Sequence, residues 1–187
     1  MTAVTGTTSV TDLASGRTAR ADSIVAAALE ILERDGREAL TMRRLADAVG
    51  IRAPSLYKHF PDKAAVELVL IEHGFVLVAV AFEEAIARDG ASLETVMRTY
   101  REVALAHPHL YRLMNGAPLP RHQMTPGVEE RAAAPLLQVL PQPDLARAAF
   151  AFAHGMCMLE LDDRFPPHAD IDAAWRAGTQ ALQAAAM

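Results

Sequence analysis

The chain has 187 residues but a single cysteine, Cys157, and aromatic residues make up only 5% of it. One cysteine excludes an internal disulfide framework of the kind that stabilises small secreted domains. Strand-like runs are also scarce, whereas Ala, Leu and Val dominate the sequence. This composition favours an all-α protein, and the length is enough for one or two domains with a substantial core.

Long hydrophobic runs are missing as well. The longest apolar run, from Phe75 to Phe82, is far shorter than the roughly 20 residues that span a bilayer. The first residues are rich in Thr, Ser and Ala, without the basic region and apolar core of a signal peptide. We therefore expect a soluble, cytoplasmic protein that does not enter a membrane.

Sequence motifs of enzyme active sites are also missing. The chain has no Gly-rich phosphate loop after a strand, no Gly-x-Ser-x-Gly elbow and no His-Glu-x-x-His pair. Asp162 and Asp163 are adjacent, so they point to different faces of a helix and make a poor acid–base pair. We expect no catalytic residues and no cofactor, with a catalytic helical protein as an alternative class.

Positive charge is in the minority, since the net charge is −5, which argues against a general polyanion binder. Residues 17–63 hold nine Lys and Arg against seven Asp and Glu, a net of +2. Residues 64–187 hold nine against fifteen, a net of −6. The first segment could thus offer a local surface for phosphates, while the acidic remainder would stay away from a duplex.

Residues 38–63 predict two short helices joined by a tight turn. Thr41 is a good N-cap, because its hydroxyl can accept a hydrogen bond from a free backbone N–H of the first turn. Gly50 suits the left-handed conformation in which helices commonly end. Pro54 fits the first turn of the next helix, where its missing N–H costs nothing, and Pro61 stops that helix.

The second of these helices has two contrasting faces. Leu56 and Phe60 lie one turn apart and should point inward. The opposite face and its surroundings carry a small apolar edge, a hydroxyl, a phenol and cations: Pro54, Ser55, Tyr57, Lys58, Arg43, Arg44, Arg52, His59 and Lys63. Such a helix is suited to a DNA major groove. A structural helical hairpin with a solvated charged face is the alternative.

The run from Leu40 to Lys63, including its Leu-Tyr-x-His-Phe segment, closely resembles the DNA-binding domain of tetracycline-repressor (TetR) family regulators over about residues 18–65. The resemblance implies a homodimer that places two copies of the second helix in successive major grooves of a palindromic operator. It implies base-edge contacts from Arg52, Ala53, Pro54, Ser55 and Lys58, and phosphate contacts from Thr41, Met42, Arg43, Tyr57, His59 and Lys63.

We predict three segments: a disordered tail over residues 1–16, a three-helix helix-turn-helix DNA-binding domain over 17–63, and a helical ligand-binding and dimerisation domain over 64–187. In the tail region, Arg17 and Arg20 could reach a minor groove. Periodicity, caps and breakers predict further helices over about 18–35, 62–88, 92–106, 108–115, 128–140, 144–162 and 170–186.

The helix predicted over 144–162 is apolar nearly all round, so it needs cover on more than one side. A second copy that packs on the last two helices would provide this cover and make a homodimer. The segments 107–114 and 154–166, with Trp175, resemble a TetR regulatory subtype named for a Trp-His-Gly run. Ala153 stands where that subtype has its tryptophan.

Eight residues of the C-terminal segment combine flexible thioethers and rings with a few polar tips, which suits a small, mostly apolar effector: Met97, Tyr100, Leu110, Tyr111, Met114, Phe150, His154 and Met158. The alternative is that they simply fill the core. By the resemblance, such an effector would release a repressor from its operator, and the long helix over 62–88 would transmit the change.

A metal- or thiol-responsive sensor is the other alternative for this segment. His154 and Cys157 lie three residues apart, a spacing compatible with metal ligands, and His107 and His109 could converge with them. A buried Cys usually behaves as a small hydrophobe and a helical core often holds one hydrogen-bonded His, so we predict no metal site.

Overall fold

The computed structural model describes residues 18–187, so the predicted tail over 1–16 and Arg17 lie outside the described residues. Within that range the chain is helical and contains no strand. Its α-helices are α1 (Ala19–Asp35), α2 (Met42–Ala48), α3 (Ala53–Leu56), α4 (Lys63–Asp89), α5 (Leu93–Ala106), α6 (Pro108–Asn115), α7 (Val128–Val139), α8 (Pro143–Leu161) and α9 (Ile171–Ala185). The all-α prediction is confirmed.

Side-chain caps explain where five of the helices begin. The backbone N–H three residues later donates to the side chain of each cap residue at the starts of α1, α2, α4, α5 and α9: Thr18, Thr41, Asp62, Ser92 and Asp170. These bonds satisfy N–H groups that have no partner inside the helix. At the other end of α1, Gly36 adopts φ +80°, a left-handed conformation that glycine tolerates without a Cβ clash.

The described chain divides into two compact units. The first contains the residues up to Leu77 together with His109–Val128, and the second contains Val78–Pro108 and Glu129–Met187. Helix α4 thus contributes its first fifteen residues to one unit and its remainder to the other. This division by compactness falls within α4 and not after residue 63. A functional domain boundary after residue 63 stays a prediction.

The first unit has a continuous hydrophobic core. Its fully buried large side chains come from α1, α2, α3, α4 and α6, and from the turn before α2: Ile24, Leu32, Leu40, Leu45, Leu56, Leu70 and Leu110. Each large aliphatic side chain removed from water contributes about 1.5–3 kcal/mol relative to leaving it exposed. The short helices α2 and α3 are therefore held by packing rather than by helix propensity.

Helix α4 is long and apolar enough to cross a membrane when only length and composition are considered. However, 61% of its most apolar window is buried inside the protein, as is usual for the central helix of a folded domain. The buried polar residues Glu67 and Glu72 also find protein partners, because Glu67 pairs with Arg37 and Glu72 accepts the backbone N–H of Thr125. The apolar character of α4 is thus largely accounted for by core packing.

An ion-pair network joins α5, α8 and α9 in the second unit. The carboxylate of Glu160 accepts the indole N–H of Trp175 at 2.6 Å and two N–H groups of Arg101, from Nε at 3.0 Å and Nη2 at 2.7 Å. Arg101 also donates from Nη1 to Asp172 at 2.6 Å. Three helices are therefore fixed to one guanidinium group.

Close packing of α8 against α9 depends on a glycine. A Cβ placed on Gly178 would lie 2.1 Å from Cζ and 2.3 Å from Cε2 of the Phe152 ring, so the ring occupies the space that any larger residue would need. The same ring packs edge-on against Trp175, with the ring centroids 5.5 Å apart. Gly155 on α8 is different, because a Cβ there would meet nothing within 4 Å.

We expect Gly178→Ala to lower the free energy of unfolding by about 1–3 kcal/mol, because the added methyl group forces the Phe152 ring out of its packing position. Urea unfolding followed by circular dichroism, at one protein concentration, measures the change. Gln180→Ala, an exposed change on another side of α9, is the control, and it should change the free energy of unfolding by less than about 0.5 kcal/mol. Equal effects of the two substitutions would contradict this account.

Candidate nucleic-acid interface

The turn between α2 and α3 is built as the sequence predicts. Thr41 Oγ1 accepts the backbone N–H of Arg44 at 3.2 Å, which caps α2. Gly50 adopts φ +67° after the helix, and Ile51 N–H donates back to the carbonyl of Ala46 at 3.0 Å. The chain therefore reverses within a few residues and leaves α3 at a fixed angle to α2.

Helix α3 is shorter than predicted. The sequence suggested a helix from Pro54 to Phe60, whereas α3 ends at Leu56 and a turn follows over residues 57–59. The N–H groups of His59 and Phe60 both donate to the carbonyl of Leu56, at 2.9 and 3.0 Å. Pro61 disfavours the helical conformation for Phe60, so the segment does not extend past that residue. The earlier end of α3 at Leu56 coincides with the burial of Leu56 and Phe60 in the core.

The two faces of this segment nevertheless separate as expected. Leu56 and Phe60 are buried, with 0% and 5% of their surface exposed. The predicted base-edge residues are all exposed: Arg52, Ala53, Pro54, Ser55 and Lys58. Among the predicted phosphate contacts, Thr41, Arg43, Tyr57 and His59 are exposed and Met42 and Lys63 are partly buried. One contiguous stretch of chain thus presents most of the candidate surface.

Three cations of this surface are available to a ligand. Arg43, Arg52 and Lys58 are exposed and have no hydrogen bond or ion pair to another side chain anywhere in residues 18–187. Arg44 differs, because its Nη2 donates to Asp35 of α1. The cations around α2 and α3 therefore have two roles. Arg44 holds the fold together, whereas Arg43, Arg52 and Lys58 remain free for phosphates or bases.

Lys63 also has protein partners. Its ammonium group donates to the backbone carbonyl of Arg37 at 2.9 Å and lies 3.5 Å from Oε1 of Glu67. Glu67 in turn accepts two parallel bonds from Arg37, both at 2.9 Å. These contacts tie the first turn of α4 to the turn that leads into α2. A phosphate contact from Lys63 stays a prediction.

The Glu67 carboxylate is held in its charged form. Burial alone would raise the pKa of the Glu67 carboxyl, but the hydrogen bonds and charge of Arg37, with a further contribution from Lys63, lower that pKa below its usual value. The hydrogen bond with Glu67 raises the pKa of Arg37 correspondingly. A bidentate pair of this kind fixes orientation as well as distance.

The predicted effector residues are divided between the two compact units. Leu110, Tyr111 and Met114 belong to the first unit, where Leu110 and Tyr111 are buried. Met114 also fits closely there, because a Cβ on Gly74 of α4 would lie 2.3 Å from the Met114 sulfur. Their role as effector contacts stays a prediction.

The other predicted effector residues belong to the second unit: Met97, Tyr100, Phe150, His154 and Met158. The ring of Phe150 packs edge-on against Tyr100 at 6.0 Å and stacks on His154 at 6.1 Å, yet 46% of Phe150 is exposed. Burial lowers the pKa of the His154 imidazole, which favours its neutral form. These rings form a partly exposed apolar cluster with one polar tip.

The alternative of a metal or thiol sensor finds no support in the geometry. Among the residues that the structure describes, no three His, Cys, Asp or Glu side chains come together as a metal site, so His107, His154 and Cys157 do not form one. Cys157 is completely buried, whereas reactive thiols lie in partly exposed, electropositive sites.

Comparison with known proteins agrees with this arrangement. Residues 24–68 match the family described as bacterial regulatory proteins, tetR family, and residues 93–182 match the tetracyclin repressor-like C-terminal domain. An uncharacterized HTH-type transcriptional regulator of Mycobacterium tuberculosis is 32% identical over 153 residues, which cover 75% of this chain and 69% of that protein.

Two further proteins are similar over different lengths. Tetracycline repressor protein class D of Escherichia coli is 32% identical over 94 residues, so this chain spans only 43% of the length of that relative. The crystal structure of a TetR variant from Acinetobacter baumannii AYE in complex with minocycline is 25% identical, with a TM-score of 0.62 over 87% of this chain and 93% of that chain.

We expect Glu67→Gln to lower the free energy of unfolding by about 1.5–3 kcal/mol at neutral pH, because Arg37 loses a charged hydrogen-bond partner. The lowered pKa means that this contribution is present above the unfolded value of about 4.3 and is lost as the pH falls through the folded pKa. Urea unfolding at neutral and acidic pH measures the effect. Glu30→Gln, an exposed change on α1, is the control. A difference between the two variants that grows on acidification would contradict the assignment.

Proposed function

Because this chain belongs to the tetR family of bacterial regulatory proteins, we propose that it is a ligand-responsive transcriptional repressor. In this proposal a homodimer binds a palindromic operator, and a small apolar effector releases it. The observation that carries the DNA-binding role is the exposed surface around α3, where Arg43, Arg52 and Lys58 have no side-chain partner within the described residues.

The proposed contacts divide by their chemistry. Arg52 precedes α3 and could donate two hydrogen bonds to a guanine, while Ala53, Pro54, Ser55 and Lys58 lie along the same exposed segment. Arg43, Thr41 and Met42 at the start of α2, with Tyr57, His59 and Lys63, are proposed to contact phosphates and fix orientation. Two such segments in a dimer would read major grooves about 34 Å apart.

The exposed faces of α8 and α9 support the proposed dimer. Helix α8 exposes Ala148, Ala151 and Leu159, which fall on one side at about 100° per residue. Helix α9 exposes a matching series of small residues at Ala174, Ala177, Ala181 and Ala184. Small side chains allow two helix pairs to approach closely, so these faces fit a four-helix bundle with a second copy.

For the effector we propose a site that includes Tyr100, Phe150 and His154. Their partly exposed ring cluster offers apolar surface and a neutral imidazole to a small ligand. The minocycline complex of the Acinetobacter relative shows that such a ligand binds one member of this fold. The segments 107–114 and 154–166 favour the Trp-His-Gly subtype as the form of this regulatory domain.

The proposed mechanism is a shift between two states of the dimer. In one state the two copies of α3 have the spacing that fits the operator, and in the other they do not. An effector that binds the second state more tightly draws the population away from the first. Helix α4 has residues in both compact units, so it is the proposed carrier of this change. We also propose that the protein acts in the cytoplasm and has no catalytic or membrane role.

Arg52→Ala and Arg43→Ala should affect operator binding differently. Loss of Arg52 should reduce the preference for one base at a single operator position by about 1–3 kcal/mol. Loss of Arg43 should weaken binding to all sequences and reduce the slope of log binding constant against log salt concentration by about one. Fluorescence-anisotropy titrations of an operator and its single-base variants at several salt concentrations distinguish the two. Arg164→Ala, the same charge change in the second unit, is the control. Identical specificity profiles for the Arg52 and Arg43 variants would refute the proposed division of roles.

Ala177→Glu should separate the proposed dimer, because an unpaired carboxylate would be buried in a close helix–helix contact at a cost of several kcal/mol. Sedimentation velocity at micromolar concentration should show a dimer for the unchanged protein and a monomer for the variant. Gln180→Glu introduces the same group on another side of α9 and should leave the dimer intact. A variant that remains dimeric would exclude this face as the interface.

A further inference from the structure

A cleft between α5 and α9 in the second unit is separate from the ring cluster of Tyr100, Phe150 and His154. Its volume is about 380 Å³, within the range of roughly 300–1,000 Å³ typical of small-molecule sites. Met97 and Trp175, both largely buried, contribute apolar lining. The cleft therefore combines an apolar floor with an opening to solvent.

Positive charge is concentrated in this cleft. Residues 64–187 contain nine Lys and Arg against fifteen Asp and Glu, yet three of those nine line the same cleft: Arg98, Arg101 and Arg176. Glu94 and Asp172 are the acidic residues in the lining. Arg98 is paired outside this lining, with Asp89 and Glu102. An anionic occupant would therefore meet chiefly the donors of Arg101 and Arg176.

The Arg101 guanidinium group has one buried hydrogen-bond partner and one exposed partner that a ligand could replace. Nε and Nη2 donate to Glu160, whose side chain is only 8% exposed, so this contact belongs to the interior. Nη1 donates to Asp172, whose side chain is 67% exposed and can exchange its partner with a solute. The guanidinium carbon lies 5.6 Å from the centroid of the Trp175 ring, which keeps the group in place.

Arg176 has spare hydrogen-bonding capacity as well. Within the described residues, its nearest carboxylate oxygen belongs to Asp170 and lies 3.9 Å from Nη2, and both side chains are more than 60% exposed. This distance is too long for a hydrogen bond. Arg176 can therefore turn its donors toward a ligand in the cleft without breaking a buried contact.

We propose that this cleft binds a small organic carboxylate with an apolar or aromatic body. The ligand carboxylate replaces Asp172 at Nη1 of Arg101 and accepts a second contact from Arg176, while the body lies against Met97 and Trp175. Residues 174, 177, 181 and 184 fall on another side of α9, so the proposed dimer leaves the cleft open. This inference concerns binding and does not rest on operator recognition.

Trp175 provides a direct readout, because it is the only tryptophan in the chain. Titration of the full-length protein with benzoate should change the tryptophan fluorescence in a saturable manner. Benzamide has almost the same shape without the charge, and it should bind at least about fivefold more weakly, as expected for loss of a charge-assisted contact. No saturable change with benzoate, or equal affinities for the two compounds, would overturn the proposal.

Two substitutions should shift the benzoate affinity in opposite directions. Arg176→Gln removes a proposed ligand contact and should weaken binding about three- to fivefold, a magnitude expected for exposed ion pairs. Asp172→Asn removes the competing carboxylate from Arg101 and should strengthen binding by a similar factor. Arg147→Gln is the control, because Arg147 is exposed on α8 and, within residues 18–187, pairs only with Asp144.

Both substitutions leave the contacts of Glu160 with Arg101 and Trp175 in place, and Asp172→Asn removes only the exposed Arg101–Asp172 pair. Circular dichroism verifies the fold of each variant. Equal benzoate affinities in all variants, or shifts in the same direction for Arg176→Gln and Asp172→Asn, would overturn the assignment. Operator titrations without benzoate test the proposed DNA-binding role separately. Failure of benzoate binding would therefore leave the regulator proposal intact, and failure of operator binding would leave the cleft proposal intact.

Discussion

The burial of Leu56 and Phe60 is the constraint on which the candidate DNA-binding surface depends. Helix α3 has only four residues, and a helix this short does not persist in water without tertiary contacts. Both side chains join the core that α1, α2 and α4 build in the first unit. Their position orients the intervening backbone, so the exposed side chains of Ser55 and Lys58 follow from what is buried beneath them.

Arginine–carboxylate pairs fix the turns and helix ends of the first unit that the hydrophobic core does not hold. The Arg37–Glu67 pair holds the start of α4 against the turn before α2, and Lys63 adds a bond to the carbonyl of Arg37. The cost of burying Glu67 is offset because its oxygens are paired in good geometry. As a result, cations next to each other in sequence have different roles: Arg44 contacts Asp35, whereas Arg43 is left for an external partner.

Local signals were sufficient to predict most of the fold. Caps such as Thr41 and helix ends such as Gly50 act within one helical turn, so the residue types can be read directly from the sequence. The length of α3 was overestimated, because the turn over 57–59 depends on how Leu56 and Phe60 settle into the core. Residue spacing alone does not contain that information.

Long-range pairs were beyond the reach of sequence reasoning. Lys63 was predicted to contact phosphate from its place in the motif, and its partner Arg37 lies 26 residues earlier, in a turn with no motif of its own. The cleft between α5 and α9 was missed for the same reason, since Arg101 and Asp172 are 71 residues apart. The one available signal was the number of arginines on α5 and α9 in an otherwise acidic segment.

The two arginine networks use the same chemistry but differ in what they leave accessible. In the first unit, Glu67 is largely buried and both of its oxygens are occupied by Arg37, so the contact serves the fold. In the second unit, Arg101 has one interior partner in Glu160 and one exposed partner in Asp172. A guanidinium group that is fixed on one edge and exchangeable on the other is already oriented before a ligand arrives, so binding requires little ordering of the protein.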